Sequence, residues 1–167
     1  MTQSNKHIFI IGFMGAGKTS LAKQLAHKLS LRHLDSDAEI EKQEGKPINE
    51  IFQNQGESYF RSLEKKWLDN LDSTPTIVSC GGGLPCYNDN IITLKKKGWI
   101  LYLNTPIHFI IQRLDQDQKR PLLHEKSKEE IIALKQRREL YYGMAHIQIS
   151  SKDEMMEIYP IIEKQLH

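Results

Sequence analysis

The chain has very few cysteines, and its charges nearly cancel. Only two of its 167 residues are cysteine, Cys80 and Cys86, too few for a disulfide framework or a cysteine-based zinc site. We interpret both as buried or half-buried thiols in a reducing compartment. The formal net charge is only +2, with lysine and arginine spread along the chain, so the composition does not favour a nucleic-acid partner.

Long apolar runs are also missing. None approaches the about 20 residues of a transmembrane helix, and the first apolar run starts at Ile8, too close to Met1 for a signal peptide. We therefore expect a cytoplasmic protein without membrane association. The seven histidines lack the spacing of metal ligands, and the guanine-reading tetrapeptide N-K-x-D of GTPase switches does not occur.

A glycine-rich segment, G-F-M-G-A-G-K-T at residues 12–19, organises the chain. It follows a buried apolar run and matches the phosphate-binding pattern G-x-x-x-x-G-K-[ST]. Because glycine has no Cβ, the backbone N–H groups of such a loop can wrap phosphate oxygens. Lys18 supplies a charge for the outer phosphates, and Thr19 offers a hydroxyl for Mg²⁺. A plain strand-to-helix turn is the alternative, but residues 18–29 form an amphipathic helix suited to packing on a sheet.

Strand and helix patterns alternate along the whole chain. Apolar runs predict strands at 8–11, 31–34, 76–80, 99–103 and 146–150. Periodicity and capping residues predict helices at 18–29, 38–44, 57–71, 88–97, 106–114, 128–142 and 153–166, with a short helical turn at 48–52. This alternation predicts an α/β fold with a five-stranded parallel sheet covered on both faces. Without a repeat or linker, residues 1–167 are predicted to form a single domain.

Two aspartates follow the second predicted strand, at the sheet edge where α/β proteins bind ligands. Asp37 could simply cap the next helix, since an aspartate is a common N-cap residue. One aspartate would suffice for a cap, so we expect the second to hold Mg²⁺, directly or through water, while its neighbour meets a substrate hydroxyl.

Three consecutive glycines, residues 81–83, follow the third predicted strand directly. A flexible connector is possible, but bare backbone N–H groups at the end of a core strand favour close approach of a ligand.

The position of Arg61, in the helix before that strand, does not by itself indicate a functional role, since most helix arginines are solvated or make weak surface pairs. Residues 115–124 are polar and turn-prone, with the composition of a mobile lid.

Together these motifs resemble the shikimate kinases over nearly the whole chain. The family marks are the phosphate loop, L-D-x-D at 34–37, G-x-x-x-F-R at 56–61, G-G-G at 81–83, R-P-L at 120–122 and R-x-x-L-Y at 137–141. All six occur in order. The resemblance implies a three-layer αβα P-loop kinase fold with strand order 2-3-1-4-5, a substrate-binding helical segment at about 36–62 and a lid at about 113–126.

The resemblance further implies ATP-dependent phosphorylation of the 3-hydroxyl of shikimate, a step of aromatic amino acid biosynthesis. Arg61 and Arg137 would grip the carboxylate of shikimate, because guanidinium groups form paired charge-assisted hydrogen bonds. Asp37 would take ring hydroxyls, and the backbone at Gly82 and Gly83 would complete the pocket. The neighbouring Arg138 is set aside only because the R-x-x-L-Y spacing favours Arg137.

On the nucleotide side, the resemblance assigns ATP to residues 14–19 and Mg²⁺ to Thr19 and Asp35. The predicted phosphate-loop residues are Met14, Gly15, Ala16, Gly17, Lys18 and Thr19. Arg113 and Lys152 would lie near adenine. Lys18 and the lid residue Arg120 would stabilise the transferring phosphoryl group, with Asp37 as a secondary general base.

Two other functions remain possible at this stage. A gluconate kinase or nucleoside monophosphate kinase would share the phosphate loop, but neither accounts for Asp37, Arg61, the triple glycine and Arg137 together. A nucleotide-dependent switch would need no small-molecule acceptor. We expect a monomer, because no exposed apolar helix face stands out in the sequence.

Overall fold

The computed structural model describes residues 6–116, 126–150 and 155–166. Within them lie five strands: β1 His7–Ile11, β2 Arg32–Asp35, β3 Thr76–Ser79, β4 Gly98–Asn104 and β5 Ile147–Ser150. They form one sheet in the order β2-β3-β1-β4-β5, and every neighbouring pair is parallel. The predicted parallel sheet and its strand order are confirmed.

Helices cover both faces of this sheet. They are α1 Lys18–Leu29, α2 Ser36–Glu44, α3 Ile48–Gln55, α4 Glu57–Asp69, α5 Asn90–Lys97, α6 Ile107–Gln116, α7 Lys128–Tyr142 and α8 Met155–Leu166. Helices α1 and α8 pack on one face, where Leu25 and Ile162 belong to the same buried cluster as Ile10 of β1. The other helices bury a second core, which includes Phe9, Leu68 and Tyr142, on the opposite face. The result is the three-layer αβα arrangement expected of an α/β protein.

The strand register brings several chain segments to one edge of the sheet. Asp35 pairs with Ser79, Ser79 with Ile10, and Ile10 with Leu101, so these four residues form one row across four strands. Because all the strands run in the same direction, the segments that follow β1, β2 and β3 leave the sheet side by side. These segments are the phosphate loop, the aspartate pair and the triple glycine.

Two predicted helix starts are wrong by two residues each. Helix α2 begins at Ser36 rather than at residue 38, because Asp35 and not Asp37 is its N-cap: Oδ1 of Asp35 accepts hydrogen bonds from the N–H groups of Asp37 and Ala38. Helix α5 begins at Asn90 rather than at residue 88, since residues 88 and 89 have positive φ angles of 51° and 55°. The short helical turn predicted at 48–52 extends to Gln55 as α3, and the other element boundaries differ by at most two residues within the described ranges.

Part of the predicted lid lies outside the described residues. Of the segment 113–126, the structure describes residues 113–116, which end α6, and residue 126. Arg120 lies in the undescribed range 117–125. Lys152 lies in a second such range, 151–154. No described helix is long and apolar enough to cross a bilayer.

Candidate active site

The phosphate loop between β1 and α1 has a backbone that only glycine adopts readily. Its glycines at positions 12, 15 and 17 have φ angles of 150°, 76° and 102°, in the region that side chains disfavour. A Cβ at Gly12 would also lie 2.7 Å from the carbonyl oxygen of Leu103. The glycine pattern of the sequence is thus explained by backbone geometry and by close approach to β4.

The cations at this loop are already turned towards its backbone. Nζ of Lys18 donates a 2.8 Å hydrogen bond to the carbonyl of Phe13, and Nη1 of Arg113 donates one of 2.9 Å to the carbonyl of Gly15. Helix α1 begins at Lys18, so its unpaired N–H groups and positive dipole end face the loop. The loop is therefore a preformed anion cradle with two positive side chains at its border.

A hydrogen-bond chain joins the loop to the end of β2. Oγ1 of Thr19 donates to Oδ2 of Asp35 over 2.9 Å, and Oγ of Ser79 donates to the same oxygen over 2.8 Å. Nε2 of His33 lies 3.0 Å from Oγ of Ser79. Burial lowers the pKa of His33, while the charge of Asp35 opposes that shift. Asp35 is thus held rigidly at the loop by two hydroxyl groups and by its capping bonds.

This pair of oxygen ligands fits a magnesium ion shared with phosphates. Mg²⁺ prefers hydroxyl, carboxylate and phosphate oxygens and keeps several waters, so it does not need a cage of side chains. The described residues contain no cluster of three or more histidine, cysteine, aspartate or glutamate side chains that could hold a metal. Thr19 and Asp35 are the residues whose chemistry and position suit the ion.

The triple glycine at residues 81–83 is where three candidate side chains meet. A Cβ on the first glycine would overlap Oδ1 of Asp37, and one on the second would lie 3.2 Å from Nη1 of Arg138. A Cβ on the third would lie 2.7 Å from Nη2 of Arg61. Each glycine therefore makes room for one charged side chain. We call Asp37, Arg61, Arg138 and the triple glycine the acceptor pocket.

Arg61 is buried in the acceptor pocket and makes several contacts there. Its side chain is 10% exposed, and Nη1 donates a 2.8 Å hydrogen bond to Oε2 of Glu64. Nε and Nη2 both donate to Oε1 of Glu57, over 3.1 and 3.0 Å. The ring of Tyr87 covers the guanidinium, with its centroid 4.2 Å from Cζ. An arginine that was ordinary by sequence position is therefore a fixed cation on the pocket wall.

The two adjacent arginines of α7 differ in their surroundings. Arg137 is exposed at the border of the cavity, whereas Arg138 is only 7% exposed. Nε and Nη1 of Arg138 are buried without a hydrogen-bond partner among the described residues. Its guanidinium packs over the ring of Phe13, 5.5 Å from the centroid. Burying such donors unpaired is costly, so Arg138 is prepared for an anionic ligand.

Glu64 is the carboxylate behind Arg61. It is 1% exposed, and burial raises its pKa to about 7, while the neighbouring Arg61 guanidinium acts in the opposite direction. Its Oε1 has no hydrogen-bond partner among the described residues. Glu64 therefore balances part of the positive charge of the pocket from the protein side.

One cavity of about 1400 Å³ connects the phosphate loop with the acceptor pocket. A site for a single drug-sized ligand is commonly about 300–1,000 Å³, so this cavity has room for two ligands end to end. Phosphate-loop residues including Lys18 line one end, and Asp37 and Arg61 line the other. Two ligands bound there would meet near Lys18 and Asp37.

Sequence reasoning missed several residues of this site. Glu57 and Glu64 stand four residues before and three residues after Arg61, the spacing of ion pairs on a helix, and this signal was available. No sequence pattern marked Tyr87 as part of the site, since it lies in an irregular segment after the triple glycine. Arg138 was visible but was set aside in favour of Arg137.

Known proteins match this arrangement over most of the chain. A family model described as shikimate kinase matches residues 14–166. A shikimate kinase of Persephonella marina is 43% identical over 148 residues, which are 88% of this chain and 90% of the relative. One from Sulfurihydrogenibium sp. is 40% identical, over 87% of this chain and 88% of the relative.

Solved structures show the same similarity. The shikimate kinase of Acinetobacter baumannii in complex with shikimate superposes with a TM-score of 0.87 and 34% identity, over 98% of this chain and 93% of that one. The deoxyadenosine kinase of M. mycoides shares only the fold, at 16% identity and a TM-score of 0.64, over 97% of this chain and 100% of that one. By its sequence and fold, this chain belongs to the shikimate kinase family.

Proposed function

We propose that this protein transfers the γ-phosphate of ATP to the 3-hydroxyl of shikimate, giving shikimate 3-phosphate and ADP. The observation that carries this proposal is the acceptor pocket, where two buried arginines and one aspartate converge on the triple glycine. It opens into the same cavity as the phosphate loop. A small carboxylate with several hydroxyl groups needs this combination of cations and a carboxylate acceptor.

The carboxylate of shikimate is held by Arg61 and Arg138 in this proposal. Resemblance to the family favours Arg137, but the unpaired buried N–H groups favour Arg138. Bound to a carboxylate, these donors gain charge-assisted hydrogen bonds and no longer incur the cost of being buried unpaired. Arg137, at the exposed border, adds only long-range attraction.

The hydroxyl end of shikimate faces Asp37 and the backbone N–H of Gly82. Asp37 accepts a hydrogen bond from the attacking hydroxyl and so directs its oxygen at the γ-phosphate. Accepting the proton is a secondary contribution, because phosphoryl transfer depends mainly on positioning and charge stabilisation. The half-buried carboxylate of Asp37, next to Gly81, is well placed for this role, since its position is fixed by the close contact.

The phosphoryl group is stabilised from the nucleotide side. Lys18 releases the carbonyl of Phe13 and turns to the β- and γ-phosphates, while Arg113 stays near the loop and the adenine end. Thr19 and Asp35, the latter through water, would hold Mg²⁺, which would supply positive charge to neutralise the phosphates. Arg120 and Lys152, outside the described residues, complete this side as a second cation at the phosphoryl group and an adenine contact.

We further propose that the enzyme works in the cytoplasm as a monomer. Cys80 and Cys86 are both free and buried, as befits a reducing compartment, and burial raises the pKa of both thiols. Each element of the acceptor pocket and the phosphate loop comes from one chain, so the site needs no second copy. Equilibrium sedimentation at micromolar concentration measures the molar mass in solution, which should equal that of one chain.

The proposed function is tested by ADP release from Mg-ATP with shikimate, gluconate, AMP or no acceptor. Release that requires shikimate supports the proposal, and identification of the product by phosphorus NMR locates the new ester. Release with gluconate or AMP in place of shikimate would indicate another small-molecule kinase. Equal release in all four reactions would reject the acceptor site and favour a nucleotide-dependent switch.

A further inference from the structure

The side-on edge of the Arg61 guanidinium is taken by a carboxylate of the protein itself. This edge, formed by Nε and Nη2, is one of two positions where a guanidinium binds a carboxylate through a pair of hydrogen bonds. Both groups donate to Oε1 of Glu57. Nη1 is engaged by Glu64, so each edge of Arg61 that could bind a ligand carboxylate has at least one donor in use.

The two glutamates differ in how easily they can leave. The side chain of Glu64 is 1% exposed and enclosed, whereas that of Glu57 is 54% exposed. Glu57 is the first residue of α4, so its charge remains favourable near the positive end of the helix dipole after its contact with Arg61 is broken. Glu57 can therefore move into water at low cost, and Glu64 cannot.

The charges around the pocket also favour an exchange. The Arg61 guanidinium already has two carboxyl groups against it, those of Glu57 and Glu64. A ligand carboxylate would be a third if both stayed in place. Departure of Glu57 keeps the number of carboxyl groups at this guanidinium unchanged.

We propose that Glu57 is a resident carboxylate that occupies Arg61 before the acceptor binds and is displaced into solvent by the acceptor carboxylate. This inference rests on the proposed function, since it concerns the same pocket. Its consequence is selectivity for acceptors with a carboxylate. A ligand without a carboxylate cannot replace Glu57, and Arg61 then stays paired with Glu57. Glu57 also lowers the apparent affinity for the true acceptor, because its own contact must first be broken.

The test compares Glu57→Gln with the wild type and with Glu50→Gln, an exposed glutamate in the first turn of α3 that does not line the cavity. Binding of shikimate and of its uncharged methyl ester is measured by calorimetry, together with the KM values for shikimate and ATP. We expect Glu57→Gln to bind shikimate about 3- to 5-fold more tightly, since an ion pair with one exposed partner is weak. The KM for ATP, methyl ester binding and all values of Glu50→Gln should not change.

A second variant separates the contact from the charge. Glu57→Asp keeps the negative charge at the start of α4 but is one methylene too short to reach Arg61 as Glu57 does, so it should also bind shikimate more tightly. Unchanged or weaker shikimate binding in Glu57→Gln would overturn the proposal, and weaker binding would make Glu57 a support for Arg61. An equal gain for the methyl ester would overturn it too. Absence of shikimate binding in the wild type would reject the proposed function itself and this inference with it.

Discussion

The hydroxyl of Tyr142 donates a 2.7 Å hydrogen bond to the carbonyl oxygen of Gly82. Tyr142 is fully buried near the end of α7, four residues after Arg138 and on the same face of the helix. The bond therefore fixes α7 against the triple glycine and sets the depth at which Arg138 enters the acceptor pocket.

Replacing Tyr142 with phenylalanine should lower the free energy of unfolding by about 1–2 kcal/mol, because a buried carbonyl loses its partner. We also expect a severalfold higher KM for shikimate, since α7 is less firmly placed. Urea denaturation and steady-state kinetics measure both effects. Tyr141→Phe is the matched control, because Tyr141 is 38% exposed and should tolerate the change. Equal effects of the two substitutions would contradict the role given to this bond.

Gly83→Ala should damage acceptor binding while the fold is retained. The φ of Gly83 is −91°, which alanine adopts freely, so backbone strain is not involved. The new Cβ would instead push the end of the Arg61 side chain away from its contacts with Glu57 and Glu64, while the backbone stays in place. We expect the KM for shikimate to rise by about tenfold or more, with the KM for ATP unchanged. A variant with normal shikimate kinetics would show that Arg61 does not need this position.

The two arginines of α7 can be separated by replacing each with lysine. Arg138→Lys keeps the charge but loses the paired hydrogen bonds, so the KM for shikimate should rise by about tenfold or more. Arg137→Lys should change it less than about twofold, since exposed charges are screened by water. Circular dichroism confirms that both variants fold. A larger effect of Arg137→Lys would indicate that Arg137, which the family spacing favours, binds the shikimate carboxylate.

Glu64 should make stability depend on pH near neutrality. Its folded-state pKa is raised from the usual 4.5 to about 7, because burial favours the protonated form. The stability that this group contributes is therefore fully present below pH 4.5 and is lost as the pH rises through about 7.

Glu64→Gln removes this ionisation. The difference in free energy of unfolding, wild type minus variant, should fall between pH 4.5 and about 7. The lowered pKa values of His7, His33 and His146 act in both proteins and cancel in the difference. Urea denaturation at several pH values measures the difference, and parallel curves for the two proteins would contradict the assigned pKa.

Much of the fold could be predicted because its signals are local. The phosphate loop, the aspartate pair and the triple glycine each lie at the carboxyl end of a strand. In a parallel sheet the strand ends lie at one edge, so their proximity follows from the fold alone. The helix starts at Ser36 and Asn90 were missed because they depend on a side-chain cap and on two left-handed residues, which local hydrophobic periodicity does not report.

The choice between Arg137 and Arg138 depends on the rotation of a helix. Successive residues on a helix differ by about 100°, so a shift of one residue turns a side chain from the core to solvent. The buried positions 131, 138 and 142 share one face of α7, and this spacing favours Arg138. The pairing of Arg61 with Glu57 has the spacing of an ion pair on one helix, so the sequence did contain a signal for it. The contact of Arg61 with Tyr87 depends on side-chain packing between separate segments, which motif spacing does not specify.

The central claim is that one cavity holds a phosphate end at Lys18 and a carboxylate end at Arg61. Calorimetric titration of shikimate and of a non-hydrolysable ATP analogue into the wild type, Arg61→Ala and Lys18→Ala tests it most directly. Arg61→Ala should lose about 2–5 kcal/mol of shikimate binding and keep nucleotide binding. Lys18→Ala should keep shikimate binding, weaken nucleotide binding and lower turnover by orders of magnitude. Unchanged shikimate affinity in Arg61→Ala, or loss of both ligands in either variant with the fold intact, would contradict the account.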